Sequence, residues 1–130
     1  MSSSRLLASR TAILAALEAA QLNSATSGKW SAPVVLVEPG DPWAGVDLSL
    51  GRRRTGRWRL TVVAGRADTA GAIERLAELV DQVDAALLAV RGLELPTWSR
   101  PSDLSLDGAL YAAASSTVQL LTPTPQEVIP

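Results

Sequence analysis

Strict alternation dominates the middle of the chain. Val46, Leu48 and Leu50 interleave with Asp47 and Ser49, and Trp58, Leu60 and Val62 interleave with Arg57, Arg59 and Thr61. Successive side chains of a strand point to opposite faces, so a period of two describes strands that bury one face and wet the other. Between the two runs lies Gly51-Arg52-Arg53-Arg54-Thr55-Gly56, longer than a tight two-residue turn and bounded by glycine at each end. The pattern predicts a hairpin with an exposed, mobile tip.

Elsewhere the apolar period lengthens to three and four. Leu6, Leu7, Ile13, Leu14 and Leu17 mark a helix from about Arg5 to Gln21, with Ser2 to Ser4 as N-cap candidates. Ile73, Leu76, Val80, Val83, Leu87 and Val90 mark a second, capped by Asp68 or Thr69 and closed by Arg91-Gly92. Val34 to Val37 is β-branched and follows Trp30 and Pro33, predicting a first strand, which the two prolines, glycine and aspartate of Glu38 to Pro42 stop in a turn before Trp43. Leu93 to Trp98 reads as a short edge strand bounded by Pro96, Ser99 to Gly108 as a loop, and Ala109 to Leu121 as a closing strand. Helix, strand, hairpin, helix, hairpin predicts an α+β fold: a single, mainly antiparallel sheet of about four to five strands with two helices packed on one face. The domain is expected over residues 1–122, and residues 123–130 read as an extended proline-rich tail.

Composition narrows the function. A chain of 130 residues supports one domain with a sizeable core. It has no Cys and no His, which excludes disulfides, zinc fingers, haem ligation, thiol or serine–histidine nucleophiles and an imidazole base. Carboxylates, Arg, the lone Lys29, hydroxyls and Tyr111 remain, so no enzyme activity, catalytic residue, metal or cofactor is expected. No apolar stretch is long enough to cross a membrane, and the N-terminus lacks the pattern of a secretion signal, so a cytosolic setting is expected. With 12 basic and 13 acidic residues there is no global attraction to nucleic acid or to an acidic membrane.

Charge is nonetheless segregated. Arg52, Arg53, Arg54, Arg57 and Arg59 fall in eight positions, with no acidic residue between Gly51 and Ala67. Such guanidinium groups could touch phosphates, pair with carboxylates of a neighbouring subunit, or simply be solvated. Trp58 alternates with its flanking arginines and therefore belongs to the core rather than to a base-stacking platform. Glu74, Glu78, Asp81 and Asp84 lie off the apolar stripe of the second helix and face solvent or a partner. Trp30, Trp43 and Trp98 sit near element ends, as core rims or as anchors of an interface. Asp103-Leu104-Ser105-Leu106-Asp107-Gly108 imitates the start of a calcium loop but has Ala114 where the closing glutamate belongs, so a turn before the last strand is expected. Glu38, Asp41 and Asp47 could converge, although turn chemistry already explains Asp41 before Pro42.

The Pro33-to-Val37 strand, the Asp41-Pro42-Trp43 turn, the hairpin ending in Leu60-Thr61-Val62-Val63, the Ala67-Asp68 approach to a long helix and the closing Tyr111 strand carry a resemblance. In the order and length of these elements, from about Arg5 to Thr122, the chain resembles the tail terminator proteins of long-tailed bacteriophages. The resemblance implies a structural protein of the virion. It would form a homohexameric ring at the head-proximal end of the tail, capping the tail tube, stopping its polymerisation and offering a docking surface to the head–tail connector. Its implied partners are other copies of itself, the tail tube protein and the connector or neck protein, with non-specific contact to passing DNA and none to a membrane; assembly would take place in the host cytoplasm. A neck adaptor or stopper between portal and tail is the alternative within this class, and a small nucleic-acid-binding module using the arginine hairpin is the alternative outside it.

Overall fold

The computed structural model describes residues 4–47, 53–94, 96–106 and 108–121. The expected positions Arg52, Leu48, Leu50, Asp107, Ser2 and the 123–130 tail lie outside the described residues, as do the side chains of Val46, Asp47 and Arg53. Two helices and five strands follow in the order α1 (Arg5–Ala19), β1 (Ser24–Ala25), β2 (Val34–Asp47), β3 (Arg53–Arg66), α2 (Ala72–Leu87), β4 (Ser102–Leu106) and β5 (Ala109–Leu121). The strands form one sheet ordered β1-β2-β3-β5-β4, antiparallel throughout except for the parallel β1–β2 pair. This is the expected α+β architecture, with both helices packed on one face of the sheet.

Ser4 caps α1, its hydroxyl accepting from the Leu7 amide at 3.2 Å. Ile13 and Leu17 are fully buried beneath the helix, while Leu6, Leu7 and Leu14 pack at the margin. Full burial of each large aliphatic side chain stabilises by about 1.5–3 kcal/mol over exposure. The helix closes at Gln21, which takes a left-handed φ of 61°, as Leu22 donates to the Leu17 carbonyl and Gln21 to that of Glu18, both at 2.9 Å.

Alternation on β3 sorts the sheet into two faces. Trp58, Leu60 and Val62 lie in the main core with Val35 and Val37 of β2, Ala112, Ala114, Val118 and Leu120 of β5, and Leu76, Val83 and Leu87 of α2. On the other face Val34, Val63 and Ala113 form a smaller cluster, shielded by Trp30, Leu36, Leu104 and Tyr111. Trp30 meets Tyr111 edge to face, with centroids 5.8 Å apart. Trp30 and Trp98 are thus core rims, Trp98 lying half-buried against the main core with its indole N–H donating to Asp84 at 2.9 Å.

Four expectations need correction. Glu38 to Pro42 does not end the strand; β2 continues to Asp47, absorbing 40–43 as a wide bulge opposite Arg57. A Cβ on Gly40 would sit 3.0 Å from the Arg57 carbonyl oxygen, so the bulged backbone crosses β3 where only glycine fits without displacement. Arg53 and Arg54 are not part of a mobile tip, since they pair in register with Asp47 and Val46. Leu93 makes a single bridge to Leu120 instead of starting an edge strand, and the expected loop supplies that strand, Ser102–Leu106, joined to β5 by a tight reversal in which Gly108 takes φ 79°. Finally, α2 begins at Ala72 after Gly71, whose φ of 79° sets the entry in place of an Asp68 or Thr69 side-chain cap, and Ile73 is 55% exposed rather than in the core. Ala72 and Ala86 take inward positions instead, because a helix pressed onto a sheet leaves little height for large side chains along the contact.

Candidate functional site

Gly56 lets α1 approach β3. A Cβ there would lie 2.8 Å from Ser9 Oγ and 2.9 Å from Leu6 Cδ1. At this contact Ser9 is 1% exposed; its hydroxyl donates to the Leu6 carbonyl and accepts the Trp58 indole N–H at 2.8 Å. The Arg10 guanidinium carbon stands 5.8 Å from the centroid of the same indole ring, and Arg10 Nε is buried without a hydrogen-bond acceptor. Trp43, carried out by the bulge of β2, packs edge-on against Trp58 at 5.7 Å and remains 42% exposed. The buried Trp58 ring thus meets an accessible indole and a cation that lacks an acceptor for one of its donors.

The arginines singled out from the sequence do not form one patch. Even-numbered positions of β3 face the helices and odd-numbered ones the opposite side, so Arg54 is separated from Arg57 and Arg59 by the thickness of the sheet. Arg54 is exposed. Arg57 is half-buried, its Nε donating to Gln119 Oε1 at 2.7 Å across the β3–β5 ladder. Arg59, paired in register with Glu38 and Thr117, is exposed at the rim of a shallow groove of about 220 Å³ lined by Leu36, Glu38, Thr61, Leu104 and Ser115. Arg53 is placed by its backbone alone, in register with Asp47.

Outward from the sheet, α2 presents Glu74, Glu78 and Asp81, all exposed, at spacings that hold them on one side of the helix. None of the three makes an ion pair or hydrogen bond with another described residue. Asp84 leaves this row, because it is half-buried and holds Trp98. Beside the acidic row lie Ile73, 55% exposed, Ala77, and Leu88, 70% exposed, at the helix exit. Ile73 and Ala77 stand one turn apart, and Leu88 lies eleven residues further on, just past the last residue of α2.

The buried Ser9, the Arg10–Trp58 contact and the exposed Ile73 and Leu88 were not anticipated. Ser9 stands at an inward position of α1, three residues after Leu6 and four before Ile13, and a polar residue in an apolar stripe is the available signal for a buried hydrogen bond. Nothing in the sequence ties Arg10 to Trp58. Among the described residues no three carboxylates gather as a metal site, and no helix is long and apolar enough to cross a membrane. Asp103 and Ser105 lie on an extended strand, where a wrapped calcium loop would need a turn. No protein family description matches the chain, and no curated protein matches it.

Proposed function

We propose that the chain is a structural subunit that assembles with copies of itself into a ring, and that it acts as a tail terminator at the head-proximal end of a long phage tail. One observation carries the structural part of this reading: the domain exposes two unlike surfaces, Trp43 and Arg10 around Trp58 and the acidic side of α2, whose Glu74, Glu78 and Asp81 make no ion pair or hydrogen bond with another described residue. Unlike surfaces on identical chains suit head-to-tail contacts, which close into rings where the rotation between copies closes. The α1, strand, hairpin, α2, hairpin order supports the narrower phage reading through the resemblance drawn above. Capping a tube requires only surface complementarity, with no chemistry at the described residues.

Placement of Arg54 on one face of the sheet and of Arg57 and Arg59 on the other weighs against the nucleic-acid module, since a phosphate-tracking site needs its cations along one surface. Cryo-electron microscopy of the purified protein and of tails that contain it tests the proposal. Sixfold rings at the head-proximal tail end are expected; a monomer in both settings would refute it.

A further inference from the structure

The sheet has two outer edges, and they differ in chemistry. On one side β1 pairs only with Val35 and Leu36, so among the described residues no strand covers the outer side of β2 past that point. On the other side β4 is an edge along its whole length, paired only with β5, and contains no proline. An uncovered edge offers backbone donors and acceptors to any further strand, and folded proteins blunt such edges with proline, bulges and charge.

One hydrogen bond fixes the direction of every amide in the first half of β2. The Val35 N–H donates to the Asn23 carbonyl at 2.9 Å and so points away from β3. Backbone groups of a strand alternate in direction, so the amides at 36 and 38 point to β3 and those at 37 and 39 point outward. Val37 is level with the end of β1, and the next outward position is Pro39, which has no N–H to offer. Pro39 is exposed and keeps its register with Trp58, because the ladder to β3 asks no donor of that position. Directly after it the bulge takes 40–43 out of the line of the strand, with Glu38 and Asp41 exposed on either side. We infer that Pro39 and the bulge behind it close the outer edge of β2 to strand addition. The residues that fail to end the strand thus end the sheet, and only the β4 edge keeps its full set of amides. Closure of this edge is independent of whether copies of the chain form a ring.

Pro39→Val in the full-length chain restores the missing donor with a residue suited to a strand. The variant is expected to stay folded and to associate, read as growth of light scattering and thioflavin T fluorescence about tenfold faster than wild type at neutral pH. Thr117→Val puts the same side chain on the exposed face of β5 without adding a donor, and is expected to associate no faster than wild type. Hydrogen exchange is expected to find the new amide of residue 39 fast in the dilute variant and protected in the associated material. Association of Pro39→Val at the wild-type rate, or equal association of Thr117→Val, would overturn the closure. Protection of the residue 39 amide in the dilute variant, or loss of the fold, would also overturn it, since position 39 would then serve the pairing with β3 rather than the open edge.

Discussion

Replacing Ser9 with Ala perturbs one hydrogen bond at the close contact of α1 with β3 over Gly56. Ser9 and Trp58 are 1% and 0% exposed, so when the Ser9 hydroxyl is removed the indole N–H is left in a site closed to water. An unsatisfied buried donor costs about 1–3 kcal/mol, while alanine in a helix interior returns roughly 0.5 kcal/mol over serine, for a net loss near 1.5 kcal/mol. At roughly 2.1 cal/mol/K of unfolding entropy per residue, the 130-residue chain loses about 5–6 °C in Tm. The decisive measurement is the double-mutant cycle with Trp58→Phe, followed by urea unfolding. With no indole N–H to satisfy, Ser9→Ala should cost nothing or stabilise by about 0.5 kcal/mol, which makes the coupling close to 2 kcal/mol. A coupling below about 0.3 kcal/mol would mean that Ser9 and Trp58 do not depend on each other, and the account of this contact would fail.

Other perturbations probe separate parts of the fold. Gln21→Gly should raise stability by roughly 0.5–1 kcal/mol in thermal unfolding, because glycine takes the left-handed φ of 61° without the Cβ penalty. Ser116→Ala removes a buried hydroxyl that has no hydrogen-bond partner, so it should be neutral or stabilising by about 0.5–1 kcal/mol; a loss above about 1 kcal/mol would show that the hydroxyl is satisfied. Asp84→Ala should cost about 1 kcal/mol and shift Trp98 fluorescence, since it releases the indole N–H that ties the segment after α2 to the helix. Replacing Arg57 and Arg59 with Ala should leave ring symmetry unchanged in micrographs and lower any affinity for DNA by a steeply salt-dependent factor, with a salt slope reduced by about 2.

Elements governed by local rules were legible. The period of two at Trp58, Leu60 and Val62 identified both β3 and its inward face, and the steps of three and four identified α1 and α2. Misreadings arose where a non-local partner outweighed local chemistry. Pro39, Gly40 and Pro42 carry strong turn signals, yet β3 continues to pair on either side of them, so the chain bulges instead of turning. Ser102–Leu106 looked like a loop because its polar residues suit one, and it became a strand because the edge of β5 needed a partner. Ile73 fits a helical stripe by spacing, but the direction from which the sheet meets α2 leaves it in water.

Sequence alone determined the two helices, the central strands, the side of β3 that faces inward, and the exclusion of cysteine and histidine chemistry, because each follows from residue type and spacing along the chain. Tertiary structure decided which separated residues share a surface. It put Arg54 on one face of β3 and Arg57 and Arg59 on the other, set Arg10 against Trp58 with a donor unpaired, and turned Ile73 and Leu88 outward. A one-dimensional pattern records which residues are neighbours along the chain, whereas the surface of a domain is made of residues from α1, β2 and α2 that only packing brings to its outside.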